Sequence, residues 1–256
     1  MEAILSPLSN ADGSCELKSN LSLVLCGVMG PGDISSSKRL FDKANIFFSI
    51  NRIPQKSKEE LASTVRPSVS KPNSSSLSSS FAHTSDRFIS SIVKASIDEF
   101  AYPRTCIQIC TQELKADGPT DALHINSICL ALLDSGIRMH YVFASVTIGI
   151  RILYPQSSHP HVRIRNCRTA VLKTTDGELL INPDQLQSNA SKAILTFVFR
   201  PSIILSGKMI GTHSTGEFTL EEHNKALKLA EHNCLELFDF YRQKMQQKFI
   251  YHIKPN

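Results

Sequence analysis

At 256 residues, 41% of them hydrophobic, the chain is long enough for a substantial core and has the composition of a soluble globular protein of one or two domains. Its formal charge of +5 permits nucleic acid as a partner without requiring it. No apolar run approaches membrane-spanning length, and the opening MEAILSPLSN lacks the basic flank and long apolar stretch of a secretory leader.

The elements follow in chain order. ADGSCELKSNLSLVLCGVMGP predicts a hairpin and then a strand, with Leu21, Leu23 and Leu25 alternating with Ser22, Val24 and Cys26 until Gly30-Pro31 ends the run. NIFFSINRI (45–53) predicts a second strand. Residues 63–85 are rich in serine and proline and poor in large apolar side chains, so they are expected to form a disordered loop within a single domain spanning 1–256. DRFISSIVKASIDEF then sets Phe88, Ile89, Ile92, Val93, Ser96 and Ile97 on one helical face, and Pro103 stops it. TCIQICTQEL (105–114) predicts a strand. LHINSICLALLDSGI predicts a helix with the stripe Ile125, Ile128, Cys129, Leu132 and Leu133, stopped by Gly136.

ASVTIGIRIL (144–153) predicts a strand, and Asp176-Gly177 a hairpin between TAVLKT and ELLIN. KAILTFVFR and IILSGKMIG predict two more strands. A long last helix is expected from about Thr219, where Thr219 and Glu222 make a capping-box pattern, with Leu220, Leu227, Ala230, Cys234, Leu237, Phe238 and Tyr241 in its stripe. The fold class is mixed α/β (α+β).

The seven cysteines run from Cys15 to Cys234 with no CxxC pair. Cys106 and Cys110 share one face of a strand, while Cys26, Cys129 and Cys234 sit in apolar runs. Buried reduced thiols account for these better than zinc or disulfides, which predicts a reducing intracellular compartment, cytosolic or nuclear. His159 and His161 flank Pro160 without further ligands at suitable spacing, so no metal is expected there. No cofactor is expected.

Five stretches in order resemble the ribonuclease PH family. They are DGSCELKSNLSLVLCGVMGP, CIQICTQELKADGPT, ICLALLDSGIRM, ASVTIGI with TTDGELLINP, and GTHSTGEFTLEEHNKALKLAEHNCLEL. The likeness spans nearly the whole chain apart from the serine-rich insertion. It implies a fold like the second domain of ribosomal protein S5, a mixed sheet with packed helices. It also implies hexameric rings around a channel that threads RNA. Active members cleave RNA from its 3′ end by phosphorolysis. They need arginines to orient phosphate, because a guanidinium fork matches its oxygens, and acids to hold a divalent metal.

Position by position, the resemblance leaves that chemistry in doubt. The family's DGGTR loop corresponds to Asp117, Gly118, Pro119, Thr120 and Asp121. Thr120 is kept, Pro119 removes a backbone N–H from the cradle, and Asp121 stands at the arginine position. A like-charge pair at about 4 Å costs roughly 1 kcal/mol in water and about 4 kcal/mol at an effective dielectric of 20. At the first turn of a helix, Asp121 reads instead as a cap on free N–H groups, occupying the anion site itself. The family's second phosphate arginine corresponds to Lys94, which also reads as an ordinary solvated helix residue. The family's two acids correspond to Asn182 and Ser188. Asp184 nearby reads as a turn residue, and one carboxylate is a poor metal site; a register slipped by two residues would make Asp184 the first acid, but Leu186 to Ala190 offers no second one.

The resemblance thus implies a subunit without phosphorolytic activity, of the kind found in the eukaryotic RNA exosome. Its partners would be other ribonuclease PH-like subunits in a hexameric ring, cap subunits, associated nucleases and RNA, with no membrane. Its location would be the nucleus, nucleolus and cytoplasm. Arg52, Lys56, Lys58, Arg66 and Lys71 are the candidate RNA contacts, around a loop that faces the channel in family members. They read equally as a solvated basic loop. Arg163, Arg165 and Arg168 form a second basic strand without aromatic interleaving. The competing reading is a phosphate-dependent 3′-to-5′ exoribonuclease with rearranged residues.

Overall fold

The computed structural model describes residues 1–33, 35, 39–53, 75–151, 171–174, 177–202 and 207–253. Lys56, Lys58, Arg66, Lys71, His159, His161, Arg163, Arg165 and Arg168 lie outside the described residues.

The first sheet is built on the hairpin expected from the sequence. β2 (Gly13–Ser19) and β3 (Ser22–Gly32) pair antiparallel from Gly13↔Val28 to Ser19↔Ser22. The turn is Asn20-Leu21, and Asn20 has φ 51°, a left-handed conformation that asparagine tolerates better than most residues. Strand alternation buries Cys15, Leu17, Val24, Cys26 and Val28 and leaves Leu21 exposed. β1 (Glu2–Leu5) adds antiparallel to β2 at the sheet edge. It is absent from the sequence reading because it is short and buries only Ala3, too little for an alternating pattern.

β4 (Asn45–Asn51), α1 (Ser75–Ser96) and β5 (Cys106–Lys115) form a strand–helix–strand unit. β4 and β5 run parallel from Asn45↔Cys106 to Asn51↔Gln112, which requires the crossover that α1 supplies. The sheet order is β1-β2-β3-β5-β4. α1 begins earlier than the serine-rich composition predicts, so the part of that stretch from Ser75 onward is helical. Pro67 and Pro72 lie before it, and from Ser75 to Ser96 there is neither proline nor glycine. Extending a helix that Ile89, Ile92 and Val93 already anchor in the core fixes only one residue per added hydrogen bond.

The second sheet is antiparallel throughout, with order β10-β9-β6-β8-β7. Its strands are β6 (Ala144–Arg151), β7 (Val171–Thr174), β8 (Gly177–Ile181), β9 (Ala193–Arg200) and β10 (Lys208–Gly216). β7 and β8 pair as the expected hairpin, closing at Thr174↔Gly177. β10 starts at Lys208, later than the run from Ile203 predicts, and 203–206 lie outside the described residues.

α2 (Asp121–Ser135) packs on β2 and β3 of one sheet and on β6 and β9 of the other. The sequence predicts a single apolar stripe, yet every residue from Ala122 to Leu132 is buried, as expected of a helix covered on all sides. Gly136 ends it with φ 70°. β2 comes so close that a Cβ on Gly13 would lie 2.4 Å from the Ala131 carbonyl oxygen. Asn126 pins the helix to β6: its Nδ2 donates to the Ser145 carbonyl at 2.9 Å, and its Oδ1 accepts the Ser145 N–H at 2.7 Å.

α4 (Leu220–Ile253) closes the chain. The capping box forms, with the Thr219 N–H donating to Glu222 Oε2 at 2.7 Å and the Glu222 N–H to Thr219 Oγ1 at 3.3 Å. Ala226, Ala230, Cys234 and Tyr241 are buried, whereas Leu220, expected in the stripe, is 76% exposed because the first turn precedes the packed stretch. Near the far end Lys248 Nζ donates to Asp134 Oδ1 at 2.6 Å, and Asp134 also accepts from Ser6 Oγ and the Ser14 N–H.

The six described cysteines are free thiols. Burial pushes the Cys129 thiol up to about 12 and raises Cys15, Cys26 and Cys234 as well, so these are inert core residues. Cys106 and Cys110 are only half-buried, because the alternation of β5 gives the core to Ile107 and Ile109. Among the described residues no helix is long and apolar enough to cross a membrane, and no group of three or more His, Cys, Asp or Glu is arranged to hold a metal ion.

Candidate functional site

The site lies where β5 hands over to α2. β5 brings Ile107, Ile109, Thr111 and Glu113 inward in strict alternation, so the strand ends with a carboxylate in the core phase. Glu113 is 4% exposed. Its Oε1 accepts from the Thr120 hydroxyl and from His124 Nε2 at 3.0 Å, and its Oε2 accepts the Ile53 N–H at 2.9 Å. Nε2 of His124 carries the hydrogen, since an ionised carboxylate only accepts. Burial alone would raise the Glu113 carboxyl, but the bonds from His124, Thr120 and Ile53 outweigh it and hold it below the usual glutamate range.

The loop between strand and helix is committed to the protein itself. The Asp117 N–H donates to Ser22 Oγ at 2.9 Å, and the Gly118 N–H donates to Gln185 Oε1 at 3.1 Å. Pro119 has no N–H to offer. Gly118 takes φ 101°, and a Cβ there would lie 2.4 Å from the Pro183 carbonyl oxygen. Two of the loop's donors are thus spent and its surface is packed against residues 183–185.

Asp121 opens α2, but its carboxylate turns to a side chain rather than to the helix amides. Its Oδ1 accepts from Arg52 Nη2 at 2.8 Å, and its Oδ2 lies 3.9 Å from His213 Nδ1. Arg52 also donates from Nε to Asp86 Oδ1 at 3.0 Å and from Nη2 to Ser85 Oγ at 3.1 Å, and its Nη1 is 4.0 Å from Glu113 Oε1. Burial would lower the Arg52 pKa, but Asp121 and then Asp86 outweigh it and hold it above its ordinary value. His213, on β10, stacks on Phe88 of α1 with ring centroids 5.6 Å apart. One guanidinium is therefore surrounded by three carboxylates.

The structure gives both residues, Arg52 and Asp121, a setting that the sequence did not indicate. Arg52, a candidate RNA contact, is turned inward, because Asp86 and Asp121 give a guanidinium a better-matched setting than solvent does. Asp121 caps that arginine and not free helix N–H groups. Lys94 is exposed, as an ordinary solvated helix residue would be. It borders an open cleft of about 400 Å³ with Phe48, Ile50, Asp86, Arg87, Ser90 and Ser91.

The residues that the sequence resemblance sets against the family's acids lie on the other side of the loop. Asn182 has φ 47°, and its Oδ1 accepts the Thr147 N–H at 3.3 Å. Asp184 precedes the short helix α3 (Gln185–Asn189) as its N-cap and accepts from Asn20 Nδ2 at 3.4 Å, more than the simple turn role predicted. Ser188 is half-buried inside α3, and its N–H donates to the Asp184 carbonyl at 2.8 Å. An amide, a hydroxyl and one engaged carboxylate do not fit the hard, anionic oxygen set that a divalent metal requires.

Glu113 and His124 are absent from the sequence reading. The signal was available for Glu113, a charged residue in phase with the buried side of an alternating strand.

The comparisons agree with this architecture. Residues 1–138 match the model of domain 1 of the 3′ exoribonuclease family, RNase PH. Exosome complex component Rrp41 of Archaeoglobus fulgidus is 24% identical over 96% of this chain and 81% of its own length. The exosome complex component RRP46 homolog of Caenorhabditis elegans is 23% identical over 97% of this chain and 94% of its own. The crystal structure of rice (Oryza sativa) Rrp46 superposes with a TM-score of 0.70 at 17% identity, covering 96% of this chain and 93% of that one. With its motifs in order, its two-sheet fold and a family match over more than half its length, the chain belongs to the 3′ exoribonuclease (RNase PH) family.

Proposed function

We propose that this chain is a non-catalytic subunit of an RNA exosome core ring, most like the forty-sixth in the ribosomal-RNA-processing series. In that role it helps to form the channel that threads RNA for 3′-to-5′ processing and degradation. The observation that carries the reading is Asp121, a carboxylate at the family's phosphate-arginine position, held by Arg52 at 2.8 Å. Three carboxylates around a single guanidinium repel a phosphate dianion, which needs a cationic fork. The residues at the acid positions do not fit a divalent metal, so no metal-assisted step is assigned to this chain. Similarity to the exosome complex components of A. fulgidus and C. elegans supports the exosome assignment.

The partners are other ribonuclease PH-like subunits, cap subunits, associated nucleases and RNA, in the nucleus, nucleolus and cytoplasm. Lys56, Lys58, Arg66 and Lys71 contact RNA phosphates without reading sequence. Arg52 leaves that set. Co-expression with the other ribonuclease PH-like subunits of the source organism tests the role. The chain is expected to co-elute with them at one equivalent per ring. A chain that elutes as a monomer and leaves the partners unassembled would overturn the assignment.

A further inference from the structure

The family-derived phosphate site, read above as inactive, contains an arrangement that goes further than a missing arginine. Arg52 leaves the end of β4, reaches the first residue of α2, and on the way engages Ser85 and Asp86 of α1. His213 of β10 stands 3.9 Å from the other oxygen of the same Asp121 carboxylate. One carboxylate thus sits between a guanidinium and an imidazole supplied by two different sheets. The guanidinium donates to one carboxylate oxygen, the contact by which arginine holds an anion, and the imidazole lies beside the other oxygen beyond hydrogen-bond distance. The Arg52 side chain is 22% exposed and that of Asp121 16%, so the pair is shielded from competing salt.

We propose that Asp121 is an internal anion ligand: its carboxylate fills, covalently and permanently, an anion pocket formed by Arg52 and His213. The inference rests on the reading of this site as the family's former phosphate position. Two consequences follow. Free phosphate has no effect on the native chain, because the pocket is already full. Deleting the carboxylate opens a pocket for a small monovalent anion, since Asp86 and Glu113 remain nearby and disfavour a dianion.

Chemical rescue tests this directly. Asp121→Ala in the full chain is expected to lower the melting temperature by about 5–10 °C. Formate at roughly 100 mM should return at least about half of that loss in a saturable manner, as linkage to a native-state ligand demands. Phosphate should return less, and neither anion should shift the unaltered chain. The control is Asp121→Ala with Arg52→Met, which should show no formate response beyond that of equal chloride. Asp121→Ser, whose short hydroxyl leaves room for an anion and can still accept a hydrogen bond, serves if the alanine variant does not fold. Equal formate responses with and without Arg52 would overturn the inference, as would saturable stabilisation of the unaltered chain by phosphate that Arg52→Met abolishes. Nucleoside diphosphate release by the unaltered chain would instead overturn the non-catalytic reading, so the two failures are distinguishable.

Discussion

Arg52→Met is expected to lower the stability of the chain by about 3–5 kcal/mol, as removal of one partner from a shielded ion-pair cluster does elsewhere. The guanidinium is the cation around which Asp86, Asp121 and Glu113 are gathered. Its loss leaves three carboxylates facing one another with only His213 and His124 beside them. Methionine keeps much of the aliphatic packing of the stem, so the change reports mainly on charge. The measurement is the urea midpoint at constant slope. Combining Arg52→Met with Asp121→Asn should cost less than the sum of the two single changes, with a coupling of about 1–3 kcal/mol. A strictly additive pair would show that the 2.8 Å contact carries no energy. An Arg52→Met variant as stable as the parent would return Arg52 to the exposed, RNA-facing set.

Glu113→Gln is expected to cost about 2–4 kcal/mol although it conserves shape. Every group around Glu113 donates: Thr120 and His124 to one oxygen, the Ile53 N–H to the other. An amide must set its own NH₂ against one of these donors, leaving at least one buried group unsatisfied. The same residue predicts a pH dependence. Its folded pKa lies below the unfolded value, so its contribution is fully present above the unfolded pKa, near pH 4.3. That contribution is lost as pH falls through the folded pKa. Between about pH 5 and pH 3 the parent should therefore lose stability more steeply than Glu113→Gln. Parallel profiles for the two proteins would contradict the assignment.

The frame of the molecule was legible because it is written in local patterns. The Ser19–Ser22 hairpin, the alternation of β5, the Thr219–Glu222 box and Gly136 each declare an element within a few residues. β1 was not legible, since a strand of four residues with one buried side chain has no periodicity to read. The helical start at Ser75 was masked by serine content, which lowers propensity without forbidding a helix anchored further along. At the site, Asp121 stood out by itself, because the resemblance sets it against an arginine of the family. Its partner did not: Arg52 lies 69 residues earlier, and only the parallel pairing of β4 with β5 brings its strand alongside Glu113. Read locally, Arg52 belongs to a basic run beside a polar loop. Read in three dimensions, it belongs to the core side of the site.

The proposed absence of phosphorolytic chemistry at this site is tested most directly by a phosphate-dependent nuclease assay. The isolated chain and its ring complex without added hydrolytic nucleases are incubated with 3′-ended RNA, inorganic phosphate and magnesium, and nucleoside diphosphates are quantified. The account predicts no phosphate-dependent release from the isolated chain. It also predicts that Asp121→Arg alone does not create any, because Asn182 and Ser188 remain where acids would be needed. Release of nucleoside diphosphates by the unaltered chain, in proportion to phosphate, would contradict it.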